Sequence, residues 1–164
     1  MLKDGVDAIG DQWRAERPDL GDLLPMELFG RVYRIAALMA ERVERVYQPF
    51  GISRAEFDVL ATLRRSGDPF NLSPKQLSDT LMLTTGGMTG RLDRLEKAGL
   101  VERQPNPDDR RSLRAQLTPS GKDTVDRAVA VGLELQRELV AKLSPADARR
   151  LADLLRQLLA VVGS

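Results

Sequence analysis

Apolar residues along this chain recur mostly three or four positions apart, the spacing of one helical face, and the pattern is interrupted where proline and glycine cluster. Val6, Ile9 and Trp13, at i, i+3 and i+7, predict a short amphipathic helix over about 4–17, ended by Pro18 and Asp19. A long helix follows over about 25–48. It carries Leu28, Val32, Ile35, Met39, Val43 and Val46 along one face and breaks at Pro49-Phe50-Gly51. Ser53-Arg54-Ala55-Glu56 has the serine and glutamate of a capping box, and Phe57, Leu60, Ala61 and Leu63 form the inner face of the helix it opens. Gly67-Asp68-Pro69 is a loop. Ser73-Pro74-Lys75-Gln76 then starts another helix, with a serine cap, a proline at the first helical position and a glutamine to close the box. Leu77 and Leu81 line it.

Thr84 and Thr85 are candidate caps for the next helix, which ends near residue 98 because Gly99 accepts a left-handed backbone at little cost. Its core face is Met88, Leu92 and Leu95. Residues 100–104 and 113–117 read as two short strands, joined by a proline-rich, turn-forming segment that ends basic, Pro105 to Ser112. Thr118-Pro119 opens a helix that can run to residue 143 with Val125, Val129, Leu133 and Val140 on it. Ser144-Pro145-Ala146-Asp147 caps a last helix holding Leu151, Leu154, Leu155, Leu158, Leu159 and Val162. The fold class expected is mainly α with a small β-wing. A helix pair followed by a hairpin with a charged tip is a winged helix-turn-helix, which lays its second helix in the DNA major groove and reaches alongside with the hairpin.

At 100° per residue, Gly86, Gly90, Asp93, Arg94 and Lys97 lie opposite Met88, Leu92 and Leu95, and Arg91 sits on the flank. Two glycines inside a helix cost roughly 1 kcal/mol each against alanine. Placed outward, they allow close backbone approach to DNA; the other reading, a softened helix end, suits Gly86 beside the cap better than Gly90. The candidate DNA contacts are Thr84, Thr85, Gly86, Thr89, Gly90, Arg94 and Lys97 on the helix, with Arg110 and Arg111 at the wing.

Asp109-x-Arg111, five residues, then Leu117-Thr118 resembles the D-x-R-x-x-x-x-x-L-T wing signature of the MarR family, the multiple antibiotic resistance regulators. The run from Met88 to Arg103 is similar to that family's recognition helix and first wing strand, and the resemblance covers nearly the whole chain. It implies a homodimeric bacterial transcription regulator whose wing tip reaches the minor groove of a pseudo-palindromic operator. On that reading residues 1–164 are one domain, with dimerisation helices at about 1–50 and 119–164 flanking the winged unit at about 53–118.

Composition narrows the chemistry. With 42% hydrophobic but 4% aromatic residues, the core must be aliphatic. Cysteine and histidine are both absent, which removes disulfides, thiol redox sensing, the usual zinc sites and histidine acid–base catalysis. No paired-carboxylate or nucleophile signature stands out, so neither catalytic residues, metal ligands nor a cofactor are expected. No signal peptide or membrane-spanning run appears, and a cytoplasmic location without membrane association is expected. The net charge of +1 conceals a division: residues 1–30 carry three basic and seven acidic side chains, whereas residues 110–122 carry Arg110, Arg111, Arg114 and Lys122 with no acid. That basic stretch can bind phosphates, or be a solvated face.

The segment from Trp13 to Leu20 resembles the N-terminal helix of the urate-responsive subgroup of the MarR family. There a tryptophan, an aspartate and two arginines are associated with an anionic purine, and the resemblance assigns those roles to Trp13, Asp58, Arg91 and Arg103. A planar anion suits a flat ring to stack on and guanidinium forks to pair with; Asp58 would hold one arginine while the site is empty. The other reading is structural, with Trp13 anchoring a dimer core and Asp58 in an ordinary ion pair. The function expected is a dimeric repressor released from its operator by a small anion, urate or a related metabolite. Two alternatives stand: a regulator answering to a phenolic or other aromatic acid, and a helical protein-interaction module whose winged helix does not bind DNA.

Overall fold

Local capping sets the element boundaries. In a computed structural model that describes residues 3–106 and 109–163, with the side chains of Thr85 and of 109–112 outside that description, six of the helices begin at a side-chain cap. The chain divides into two units, Met1–Arg45 and Val46–Ser164.

The first unit holds α1 (Gly5–Glu16) and most of α2 (Leu24–Tyr47). Asp4 caps α1, accepting from the Val6 and Asp7 amides at 2.7 and 3.1 Å, while Asp7 accepts from the Asp4 amide at 2.7 Å. Arg31 of α2 holds both carboxylates, at 2.9 and 2.6 Å, so one guanidinium fastens the helix start to its neighbour. Val6 fits against the bare backbone of Gly30. Little else is buried here: Leu28 and Ile35 of the expected long apolar face remain exposed, with Leu24, Phe29, Tyr33 and Leu38.

The second unit carries α3 (Arg54–Arg65), β1 (Asn71–Leu72), α4 (Pro74–Leu81), α5 (Thr85–Lys97), β2 (Val101–Asn106), β3 (Asp109–Leu117), α6 (Pro119–Val140) and α7 (Pro145–Val162). The Ser53 and Ser73 boxes form as expected, and Gly99 ends α5 with φ +70°. The core joins Val59, Leu60 and Leu63 of α3 to Leu77 of α4, Met88, Leu92 and Leu95 of α5, Val101 and Leu117 of the strands, and Val125 and Ala128 of α6. It is the aliphatic core that the composition requires, with Tyr47 stacked on Phe57 at 4.1 Å beside it.

The sheet differs from expectation in two ways. Its order is β1-β3-β2, all antiparallel, and β1 is only two residues long, too short to leave a periodic signal. Both wing strands also run further than 100–104 and 113–117, because each extends the other's hydrogen-bonded ladder through a register shift at Pro105/Asn106. The last helix forms where Ser144 caps it, but within the single chain α7 buries none of its residues, and Leu151, Leu154, Leu155, Leu159 and Val162 are exposed. Among the described residues no helix is long and apolar enough to cross a membrane.

Candidate nucleic-acid interface

The turn between α4 and α5 is made by Met82, in the left-handed conformation at φ +51°, and by Thr84, whose hydroxyl accepts from the Gly87 amide at 3.3 Å. Met88, Leu92 and Leu95 fix the rotation of α5 by filling the core beneath it. That rotation leaves Gly86, Thr89, Asp93, Arg94 and Lys97 exposed and Gly90 half-buried, so the candidate reading residues share one outer face. A Cβ at Gly86 would meet nothing, whereas one at Gly90 would lie 3.8 Å from Arg94 Nη1. Arg94 Nε donates to Glu56 of α3 at 2.8 Å. The side chains of Thr85, Arg110 and Arg111 lie outside the described residues, though the backbone of both arginines is in β3.

Within the basic stretch, Arg114 has a clear structural task. From β3 its guanidinium donates to Asn106 of β2 at 3.1 Å and to Asn71 of β1 at 3.0 Å, spanning the three-stranded sheet. Lys122 pairs at 3.0 Å with Asp126, which Arg64 of α3 also holds at 2.7 Å; these two cations keep the Asp126 carboxyl below the usual range. Two of the four cations counted from charge alone therefore serve the scaffold.

The four residues assigned to an anion are distributed as follows. Trp13 is on α1, 42% exposed, beside a shallow depression of about 250 Å³ that it lines with Gln12 and Glu16. Asp58 is half-buried on α3, near Tyr47; burial, then the Asp58 charge, pushes the Tyr47 hydroxyl pKa up. Arg91 Nη1 donates to the Ala55 carbonyl at 3.4 Å, on the turn of α3 before Asp58. Asp58 is expected to hold one arginine, Arg91 or Arg103, and Arg103 has other partners. Its guanidinium pairs with Asp93 and Glu96 of α5, and it is those two, not Asp58, that hold it. The tight turn at Gly99-Leu100 folds β2 straight back along α5, which brings the third residue of the strand against the last turns of the helix. Nothing in the linear pattern marks Asp93 and Glu96 as its partners, since their spacing is that of any solvated helix face.

A MarR family model matches residues 50–112, which span α3 to the wing. The chain is 41% identical over 150 residues to the HTH-type transcriptional regulator PecS of Dickeya dadantii, covering 92% of this chain and 90% of that one. It is 31% identical over 140 residues to the multiple antibiotic resistance protein MarR of Escherichia coli K12, covering 84% and 93%. The chain belongs to the MarR family. A crystal structure of a point variant of Escherichia coli MarR complexed with operator DNA is similar to this MarR-family chain with a TM-score of 0.73 at 29% identity, over 84% of this chain and 95% of that one. The wing signature and the recognition-helix run, on which the resemblance rested, both begin or lie within the segment that the family model matches.

Proposed function

We propose that this MarR-family regulator is a homodimeric repressor that reads a pseudo-palindromic operator with α5 and the wing, and leaves it when a small anion binds. The observation that carries the DNA reading is the likeness to MarR complexed with operator DNA, taken with an outer face of α5 that presents Gly86, Thr89, Gly90, Arg94 and Lys97. Dimerisation is supported by the apolar faces left open on α2, α6 and α7. Arg110 and Arg111 of β3 would supply wing contacts to phosphate or the minor groove.

The effector reading rests on the resemblance to the urate-responsive subgroup, with Trp13 offering a half-exposed ring and Arg91 and Arg103 the guanidinium groups. An anion that engages Arg103 competes with Asp93 and Glu96, which sit on the reading helix. Ligand occupancy and the setting of α5 are thereby linked, as a population shift requires.

The test is a titration of random-sequence duplex and of a sequence enriched from a random library, each at two salt concentrations. Affinity for both should fall steeply as salt rises, since counterions are released from each neutralised phosphate. Salt-independent or absent binding would leave the protein-interaction reading instead. For the effector, urate, other purines, salicylate-like aromatics and tricarboxylates are compared by quenching of Trp13, the single tryptophan. A true effector quenches, raises the melting temperature and releases the operator over one concentration range.

A further inference from the structure

Glu56 has two tasks that use different atoms. Its Oε2 accepts from the Ser53 amide and hydroxyl, both at 2.9 Å, closing the capping box of α3, and its Oε1 accepts from Arg94 Nε on α5 at 2.8 Å. The glutamate side chain is only 12% exposed, while that of Arg94 is 60% exposed. Burial pushes the Glu56 carboxyl up, but the Ser53 and Arg94 bonds together outweigh it and hold the group below the usual range, ionised at neutral pH.

An arginine gripped by Nε keeps the opposite edge of its guanidinium, the two Nη groups, turned away from the grip. That edge is the one that forms paired bonds to guanine O6 and N7. Here Nη1 lies over Gly90, one turn back toward the start of α5 and in van der Waals reach of where a Cβ would be. Side chains on a helix lean toward its N-terminus, which is the end whose residues meet base edges in a helix-turn-helix.

We propose that Glu56 is a positioning residue for DNA reading: held through Nε, Arg94 presents its outer edge over Gly90 for paired hydrogen bonds to a guanine in the major groove. This rests on the reading of α5 as the DNA-reading helix. The advantage is preorganisation, because an arginine already fixed loses less rotamer freedom on binding than one that waves in solvent.

Glu56→Gln isolates the effect, since glutamine also serves at this position of a capping box and the helix start is kept. The probes are a duplex of roughly 30 bp enriched by the unmodified protein from a random library, and a scrambled duplex of the same composition. Glu56→Gln should lower the ratio of the two affinities by about tenfold, the scale of one paired base contact, while the scrambled duplex binds as well or better. Arg94→Ala should lower the ratio by a similar factor, and adding Glu56→Gln to it should change the ratio no further. If Glu56→Gln raises both affinities together and keeps the ratio, Glu56 only competes with DNA for Arg94, and the inference fails. It fails too if the ratio falls as much in the Arg94→Ala background. If the unmodified protein enriches no sequence and binds no duplex in a salt-dependent way, the DNA reading itself falls and takes this inference with it. An enriched operator that Glu56→Gln reads as well as the unmodified protein removes this inference alone.

Discussion

At Gly121 there is no space for a side chain. A Cβ there would overlap the Leu100 carbonyl, because the start of α6 is drawn onto the turn that follows α5. Thr118 makes that contact: its amide donates to the Leu100 carbonyl at 3.2 Å, its hydroxyl donates to the Gly99 carbonyl at 2.7 Å, and the same oxygen caps α6 by accepting from the Gly121 amide at 3.0 Å. Gly121→Ala should therefore destabilise the protein by on the order of 3 kcal/mol, read as a lower urea midpoint, since backbone rather than a flexible side chain must yield. An unchanged midpoint would mean that α6 can shift without cost. Met82 presents the reverse case. It is 92% exposed and holds φ +51°, so its side chain contributes no packing while its backbone is strained. Met82→Gly should stabilise by about 0.5–1 kcal/mol in the same measurement. Loss of stability would show that the exposed methionine is held by something beyond the single chain.

The recognition helix is tied on two flanks. Glu56 of α3 holds Arg94 on one side, and Arg103 of β2 holds Asp93 and Glu96 on the other. These carboxylates are too exposed for the Arg103 pairs to contribute much to folding; exposed pairs are worth about 0–1 kcal/mol. Their electrostatic consequence for DNA is larger. On the proposed reading of α5, loss of Arg103 would leave Asp93 and Glu96 uncompensated on the helix that approaches the phosphates. Arg103→Ala should weaken binding of any duplex several-fold at low salt, by an order-of-magnitude argument from like-charge repulsion, with the loss shrinking as salt screens it. The melting temperature should barely move, and Arg103→Lys should recover part of the affinity. Duplex titrations at two salt concentrations decide this: unchanged affinity at both would assign Arg103 to the effector alone. Arg114 does for the wing what Arg103 does for the helix, since it joins β1, β2 and β3 through Asn71 and Asn106.

For the whole molecule the open question is where the apolar surface goes. An 18-residue helix such as α7, with no residue buried, has no tertiary reason to persist alone in water. Where α6 ends and α7 begins, a cavity of about 520 Å³ is lined by Leu133, Val140, Leu143 and Ala148. A second copy that covers these faces is the economical explanation. Leu155→Glu with Leu159→Glu tests it well. Leu159 is 72% exposed and Leu155 nearly half exposed, so charge there costs the isolated chain little. The variant should sediment as a monomer at micromolar concentration and lose affinity for a two-half-site duplex. A variant that stays dimeric would move the interface elsewhere.

What the sequence determined unaided is what is encoded within a turn or two of chain. The boxes at Ser53 and Ser73, the stop at Gly99 and the Met88, Leu92, Leu95 stripe could all be read, because their partners lie three to seven residues away and their chemistry is local. The wing signature and the run from Met88 to Arg103 were legible for the same reason, and they carried the family. The two-residue β1 was not, since a strand that short has no period and exists only because β3 is there to pair with it. The arginines of the candidate site escaped in the same way. A guanidinium reaches any carboxylate brought near, so sequence could name Arg94 and Arg103 but not give them Glu56, Asp93 and Glu96. Gly121 lies inside the helix that Thr118-Pro119 opens, and only the packing of α6 against the Leu100 carbonyl denies it a side chain. Long side chains and close backbone approaches take their meaning from residues distant in the chain, and only the packing of α3, α5, β2 and α6 in the second unit decides which those are.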